Sequence, residues 1–215
     1  MSLPETFLFA TGGQSASTIL DSAMPGPSKR AKSIARARAE IAPVLISQRK
    51  IAGRVRALAA EIERDFQGRD LVIVALLNGT VMFLADLLRR LTLPLRLDFI
   101  GVSSYGTGTE SGDLVFTKEL RLDVTGRDVL VVDDILDTGN TMSRVLARLR
   151  ALRPRQIKTC VLLDKPERRV EKINADYVGF VIPNKFVVGY GLDYAERYRN
   201  LPYVGVLQAK LIKRS

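Results

Sequence analysis

Val129-Leu-Val-Val-Asp-Asp-Ile-Leu-Asp-Thr-Gly-Asn-Thr141 is the stretch that decides the fold. Its first four residues are a continuous apolar run, the pattern of a strand buried on both faces of a parallel sheet. Three carboxylates, Asp133, Asp134 and Asp137, follow where such a strand should emerge, the rim on which open α/β sheets place their ligands. Thr138, Gly139, Asn140 and Thr141 then form a small-residue turn, and residues 142–152 carry Val145, Leu146, Leu149 and Leu152 at helical spacing. A turn of this kind, running into a helix, presents backbone N–H groups and a positive dipole end to an anion, so it predicts a phosphate site. Acids beside a phosphate imply that the same ligand brings ribose hydroxyls, a bridging cation or a mobile proton. A sugar phosphate brings all three.

The strand, turn, helix order recurs upstream, where the apolar run 71–77 leads through Asn78, Gly79 and Thr80 into a helix-patterned segment at 81–91. Before it, Ser47 is placed to cap a helix whose apolar positions Ile51, Val55, Leu58, Ala59, Ile62 and Phe66 extend to Gly68. Further strand-like runs fall at 95–102, 157–163 and 177–182. This alternation predicts an α/β protein with a mostly parallel central sheet and helices on both faces. Residues 202–207 either return to that sheet or build a smaller flap.

Composition narrows the chemistry. A chain of 215 residues with 47% hydrophobic content buries one substantial core and needs no second domain. The single cysteine, Cys160, excludes an internal disulfide framework, and its place in the apolar run 159–163 predicts a buried core thiol in a reducing cytoplasm. With no histidine, imidazole is excluded as general base and as metal ligand, so proton transfer falls to carboxylate, lysine or tyrosine. A net charge of +10 admits nucleic acid, a membrane surface or small polyanions as partners. No 18-residue apolar run suggests a membrane span. Lys29, Arg30, Lys32, Arg36 and Arg38 cluster in residues 1–38, a Ser-, Ala-, Gly- and Pro-rich stretch read as a flexible basic extension ahead of one domain at 39–215. A transit peptide is the sharper reading of that stretch, but early arginines are missing. Arg144, Arg148 and Arg150 read as a solvated helix face.

The segment VVDDILDTGNT resembles the signature of the phosphoribosyltransferases: an apolar strand, two acids, two apolar residues, then Asp-Thr-Gly-x-Thr. Four further segments resemble the hypoxanthine-guanine branch in the family's order. Leu77-Asn78-Gly79 is similar to the pyrophosphate loop, where the family has a non-proline cis peptide and many members carry Lys or Arg at the position of Asn78. Ser104 and Tyr105, with the glycine-rich stretch 106–112, resemble the mobile loop that closes over the reaction centre. Leu163-Asp-Lys-Pro-Glu-Arg168 and Ile182-Pro-Asn-Lys-Phe-Val-Val-Gly-Tyr-Gly-Leu-Asp193 resemble the base-binding part. The resemblance runs from about residue 42 to 207.

It implies a type I phosphoribosyltransferase fold with a small hood, and transfer of 5-phosphoribosyl from 5-phosphoribosyl 1-diphosphate to hypoxanthine or guanine with magnesium. Asp137 becomes the acid or base for the purine proton, with Ser104 and Tyr105 shielding the reaction. Asp133 and Asp134 hold the ribose hydroxyls, directly and through magnesium-bound water. Thr138, Gly139, Asn140 and Thr141 hold the 5′-phosphate, while Asn78, Gly79 and Arg199 contact the diphosphate and Asp193 ligates its magnesium. Lys165 donates to the 6-oxo group, Phe186 stacks on the ring and the Val187 backbone reads its far edge. The resemblance also implies a homodimer or homotetramer, with neither membrane nor nucleic acid as partner. Rival readings are a xanthine-preferring transferase and a non-catalytic regulator that binds nucleic acid on the same fold.

Overall fold

The structure is a computed structural model, which describes residues 40–104 and 114–212. The expected extension at 1–38, Tyr105, the loop 106–112 and the side chain of Ser104 lie outside the described residues.

Six strands form the central sheet: β2 (Leu71–Leu77), β3 (Leu95–Ser104), β4 (Leu114–Lys118), β5 (Asp128–Leu136), β6 (Gln156–Asp164) and β7 (Tyr177–Val181). Their order is β4-β3-β2-β5-β6-β7, with only the β3–β4 pair antiparallel. The alternating strand residues divide between two cores. Leu71, Ile73 and Ala75 of β2, with Leu130 and Val132 of β5, face helices α1 (Gln48–Phe66) and α2 (Val81–Leu88). Val72, Val74, Val129 and Val131 face helix α3 (Asn140–Ala151) through its Met142, Val145, Leu146 and Leu149. Burial on both faces is why these strands read as unbroken apolar runs.

Helix α1 starts at Ser47, whose hydroxyl accepts from the Lys50 N–H at 3.4 Å, and buries the six apolar positions expected of it. Each large apolar side chain on that stripe contributes about 1.5–3 kcal/mol by leaving water. Helix α2 ends at Leu88, not at 91, because its last carbonyls are closed by tight turns at Arg90 and Leu91 ahead of Pro94.

Strand β1 (Ile41–Ile46), which the hydrophobic pattern did not reveal, pairs with β9 (Val204–Leu207), and β9 pairs with β8 (Val187–Val188). Residues 204–207 therefore build a separate antiparallel flap, joining residues 41–46 to residues 187–188. A second unforeseen strand, β4, folds back on β3 beside the segment 105–113. Its base is pinned by Asp98: burial pushes that carboxylate up, but Lys118 and the N–H groups of Leu122, Phe99 and Arg121 outweigh it and bring the pKa down to about 2.

Candidate active site

The sheet's sequence order reverses between β2 and β5. From β2 the chain crosses through α2 to β3 on one side; from β5 it crosses through α3 to β6 on the other. A crevice opens at the carboxyl ends of strands at such a switch point. Here β2 and β5 remain paired only as far as Ala75 and Val132. Beyond that point lies a cavity of about 230 Å³, lined by residues including Leu77, Asp133, Asp134, Asp137, Thr138 and Gly139.

Strand β5 does not stop at Val132. It runs to Leu136 because β6 continues the ladder, pairing Asp133 with Val161 and Leu136 with Asp164. The two acids are thus strand residues held rigidly on the rim. Asp133 is 8% exposed; its Oδ1 accepts from Thr80 Oγ1 at 3.2 Å and from the Asp134 N–H at 2.9 Å. Burial, and then the neighbouring Asp134 charge, push the Asp133 carboxyl well above the usual carboxylate range. Burial also pushes Asp134 up, partly offset by hydrogen bonding and by the positive charge of Arg199. Two adjacent carboxylates, one buried and one half-buried, that resist ionising fit a hard divalent cation or a pair of ribose hydroxyls. Among the described residues, no three acidic or thiol groups converge into a ready-made metal cage.

Two backbone turns meet at the Asp134 carboxylate. The peptide Leu77–Asn78 is cis, as the resemblance implied. A Cβ on Gly79 would lie 1.7 Å from Asp134 Oδ2, and a Cβ on Gly191 would lie 1.9 Å from the Gly79 carbonyl oxygen. Only glycine allows the turn at 78–80, Asp134 and the segment 189–193 to touch. That segment also brings in Arg199, whose guanidinium donates to the Gly191 carbonyl at 3.0 Å and pairs with Asp193 Oδ1 at 2.9 Å. Asp193 Oδ2 accepts from the Glu196 N–H.

The turn before α3 is built as expected. Gly139 adopts φ +91°, and the helix begins at Asn140, two residues earlier than its apolar pattern. Thr138, Gly139 and Thr141 face the cavity, while Asn140 N–H reaches Thr138 Oγ1 at 3.4 Å. The helix start, which no side chain caps, and its dipole suit a phosphate.

Asp137 stands between this turn and the end of β6. Its Oδ1 is buried and has no hydrogen-bond partner among the described residues, while Oδ2 lies 3.2 Å from Arg168 Nη1 and 3.9 Å from Lys165 Nζ. Lys165 is only 5% exposed, so it is no surface lysine, and burial lowers its pKa against the pull of Asp137. Phe186 is 41% exposed and meets Tyr194 edge-on at 5.5 Å, so it is not simple core. Val187 is buried in the flap beside it.

Arg168 and Arg169 had been given no role. Arg169 donates from Nε to the Asp137 carbonyl at 2.9 Å and from Nη2 to the Leu136 carbonyl at 3.1 Å, and also pairs with Asp164. Their signal was the turn opened by Pro166 immediately after a buried strand, with two cations at its close. Cys160 is buried, and its thiol is pushed up by burial, as expected of a core residue. Arg148, read as merely solvated, pairs with Glu119 and lies 4.7 Å over the Phe116 ring. No helix among the described residues is long and apolar enough to cross a membrane.

A switch-point crevice with paired acids beside a small-residue turn at a helix start suits a ligand that carries both a phosphate and hydroxyl groups. The model of the phosphoribosyl transferase domain family matches residues 45–195, and the chain belongs to that family. It is 46% identical to the hypoxanthine-guanine phosphoribosyltransferase of Bacillus subtilis over 170 residues, covering 79% of this chain and 94% of that one. It is 47% identical to a bifunctional protein TilS/HprT of Listeria monocytogenes over 173 residues, 80% of this chain, and spans only 27% of that longer protein. A crystal structure of a hypoxanthine phosphoribosyltransferase from Staphylococcus aureus superposes with a TM-score of 0.80 at 41% identity, covering 83% of this chain and 98% of the other.

Proposed function

We propose that the protein transfers the 5-phosphoribosyl group of 5-phosphoribosyl 1-diphosphate to hypoxanthine or guanine, releasing pyrophosphate. The observation that carries this reading is the pairing of a buried lysine, Lys165, with a buried and unpartnered carboxylate oxygen, Asp137 Oδ1. A 6-oxopurine matches both at once, with a carbonyl acceptor for the ammonium and a ring N–H for the carboxylate. An amino group in place of the oxo group would face Lys165 donor to donor, which disfavours adenine.

In the forward direction, Asp137 Oδ1 takes the proton from the ring nitrogen as the other ring nitrogen bonds to the anomeric carbon and the diphosphate departs. The turn at 138–141 holds the 5′-phosphate, Asp133 and Asp134 hold the ribose, and Arg199 with the N–H groups around Gly79 meets the leaving diphosphate. These groups fix the reactants in line and hold charge where it develops, which is the main work of such a substitution. Asp133 and Asp134 on one side and Asp193 on the other are the residues that would hold magnesium. The ion would neutralise diphosphate charge and lower the cost of its departure. Phe186 stacks on the base from the flap.

The test is nucleotide formation from 5-phosphoribosyl 1-diphosphate and magnesium with hypoxanthine, guanine, xanthine or adenine supplied separately. Turnover with hypoxanthine and guanine is expected, and Asp137→Ala should cut it by about 10² to 10⁴ while diphosphate binding is kept. Turnover with xanthine alone would change the base preference. No turnover with any base, or a fully active Asp137→Ala, would overturn the reading.

A further inference from the structure

Building on the transferase reading, we propose that Arg168 is a positioning residue: it engages Asp137 so that the Lys165 ammonium stays available to the base. Both cations stand on one turn of 3₁₀ helix, in which the Arg168 N–H donates to the Lys165 carbonyl at 3.2 Å. Both address the same oxygen, Asp137 Oδ2, but unequally. Arg168 Nη1 is at 3.2 Å, and Lys165 Nζ is held off at 3.9 Å, beyond hydrogen-bond reach. A buried ammonium beside a lone carboxylate would close to a charged hydrogen bond at roughly 2.7–2.9 Å. Once closed, it would have to break that bond before meeting a ligand carbonyl. With Arg168 paired to Oδ2, Lys165 has no carboxylate hydrogen bond to break among the described residues, and Oδ1 is the oxygen left for a ligand N–H.

The effect is confined to the carboxylate. The Asp137 main chain is held independently, by Arg169 at its carbonyl and by the Lys165 N–H donating to the Leu136 carbonyl at 3.0 Å. The Arg168 side chain is 47% exposed, and a pair that open to solvent adds little to stability. Removing it should therefore be felt in base binding and turnover, with little change in melting.

The experiment measures kcat and both KM values for the wild type, Arg168→Ala, Arg168→Lys, Lys165→Ala and the double variant. Arg168→Ala is expected to raise the KM for hypoxanthine about tenfold, the order of a lost charged hydrogen bond, with the KM for 5-phosphoribosyl 1-diphosphate within about twofold. Arg168→Lys should recover part of the loss. In the Lys165→Ala background the extra loss in hypoxanthine KM should vanish, because no ammonium remains to be captured. Equal losses in both backgrounds, equal losses for both substrates, or unchanged kinetics in Arg168→Ala would overturn the proposal while leaving the transferase reading standing. A wild type that makes no nucleotide overturns the transferase reading itself, and this one with it.

Discussion

Asp133→Asn separates the electrostatic demands of function from those of folding. The substitution keeps the shape and the Oδ1-type acceptor that meets Thr80 and the Asp134 N–H, and deletes only the charge. In the unfolded chain an aspartate titrates near about pH 4. In the fold, burial and then Asp134 raise that pKa well above it. A raised carboxylate pKa gives stability that is fully present below the unfolded value and is lost as pH rises through the folded one. Within that window the folded protein binds one proton more than the unfolded chain, so stability falls by about 1.4 kcal/mol per pH unit. The variant lacks this slope. For a domain of this size, about 1 kcal/mol moves Tm by roughly 2–4 °C. Above about pH 4, with EDTA present, the Tm of Asp133→Asn should therefore gain on the wild type by roughly 3–6 °C per pH unit, up to the folded pKa. Magnesium with 5-phosphoribosyl 1-diphosphate should narrow the gap, and the variant's turnover should be lower at every pH. Parallel Tm curves for the two proteins would refute the argument that burial beside Asp134 raises the Asp133 pKa.

Gly79→Ala drives a Cβ to 1.7 Å from Asp134 Oδ2, and overpacking of this kind costs about 1–3 kcal/mol, to be read as a lowered denaturation midpoint together with weakened diphosphate binding. A variant as stable and as tight as the wild type would show that the Asp134 carboxylate can swing clear of position 79. Lys165→Ala should weaken hypoxanthine binding more than diphosphate binding in calorimetric titrations, and equal losses would indicate a general defect. Because burial lowers the Lys165 pKa, wild-type affinity for hypoxanthine should begin to fall at a lower pH than an ordinary lysine would allow. Phe186→Ala leaves a partly exposed position, so melting should barely move, whereas base binding should lose about 1–3 kcal/mol if the ring stacks as proposed.

The legible parts of the fold were those governed by local pattern. Strands buried on both faces announce themselves as apolar runs, and Ser47 and Gly139 mark helix starts through capping and positive φ. Strands β1 and β4 were hidden because each is made by its partner: residues 41–46 contain Pro43 and exposed positions, and they become a strand only where β9 meets them with register shifts. The end of β5 was missed for the same reason. Two aspartates look like the end of a strand, yet β6 carries the ladder on through them.

The site shows a sharper division. Which residues belong to it was readable from motif order, but how they share their charges was not, since that depends on distances between segments far apart in sequence. Asp134 is pressed by Gly79, Gly79 by Gly191, and Gly191 is held by Arg199, a chain that crosses the switch point into the segment between β8 and β9. Glycines at 79 and 191 let these segments close around Asp134, and the two neighbouring acids of β5 sit there at some electrostatic cost. At the opposite wall, Arg169 fixes the Asp137 backbone through main-chain carbonyls, an interaction indifferent to protonation. Position is thus secured by contacts that leave Asp137 Oδ1 and Lys165 Nζ, the atoms that meet the base in the proposed transfer, without a hydrogen bond among the described residues.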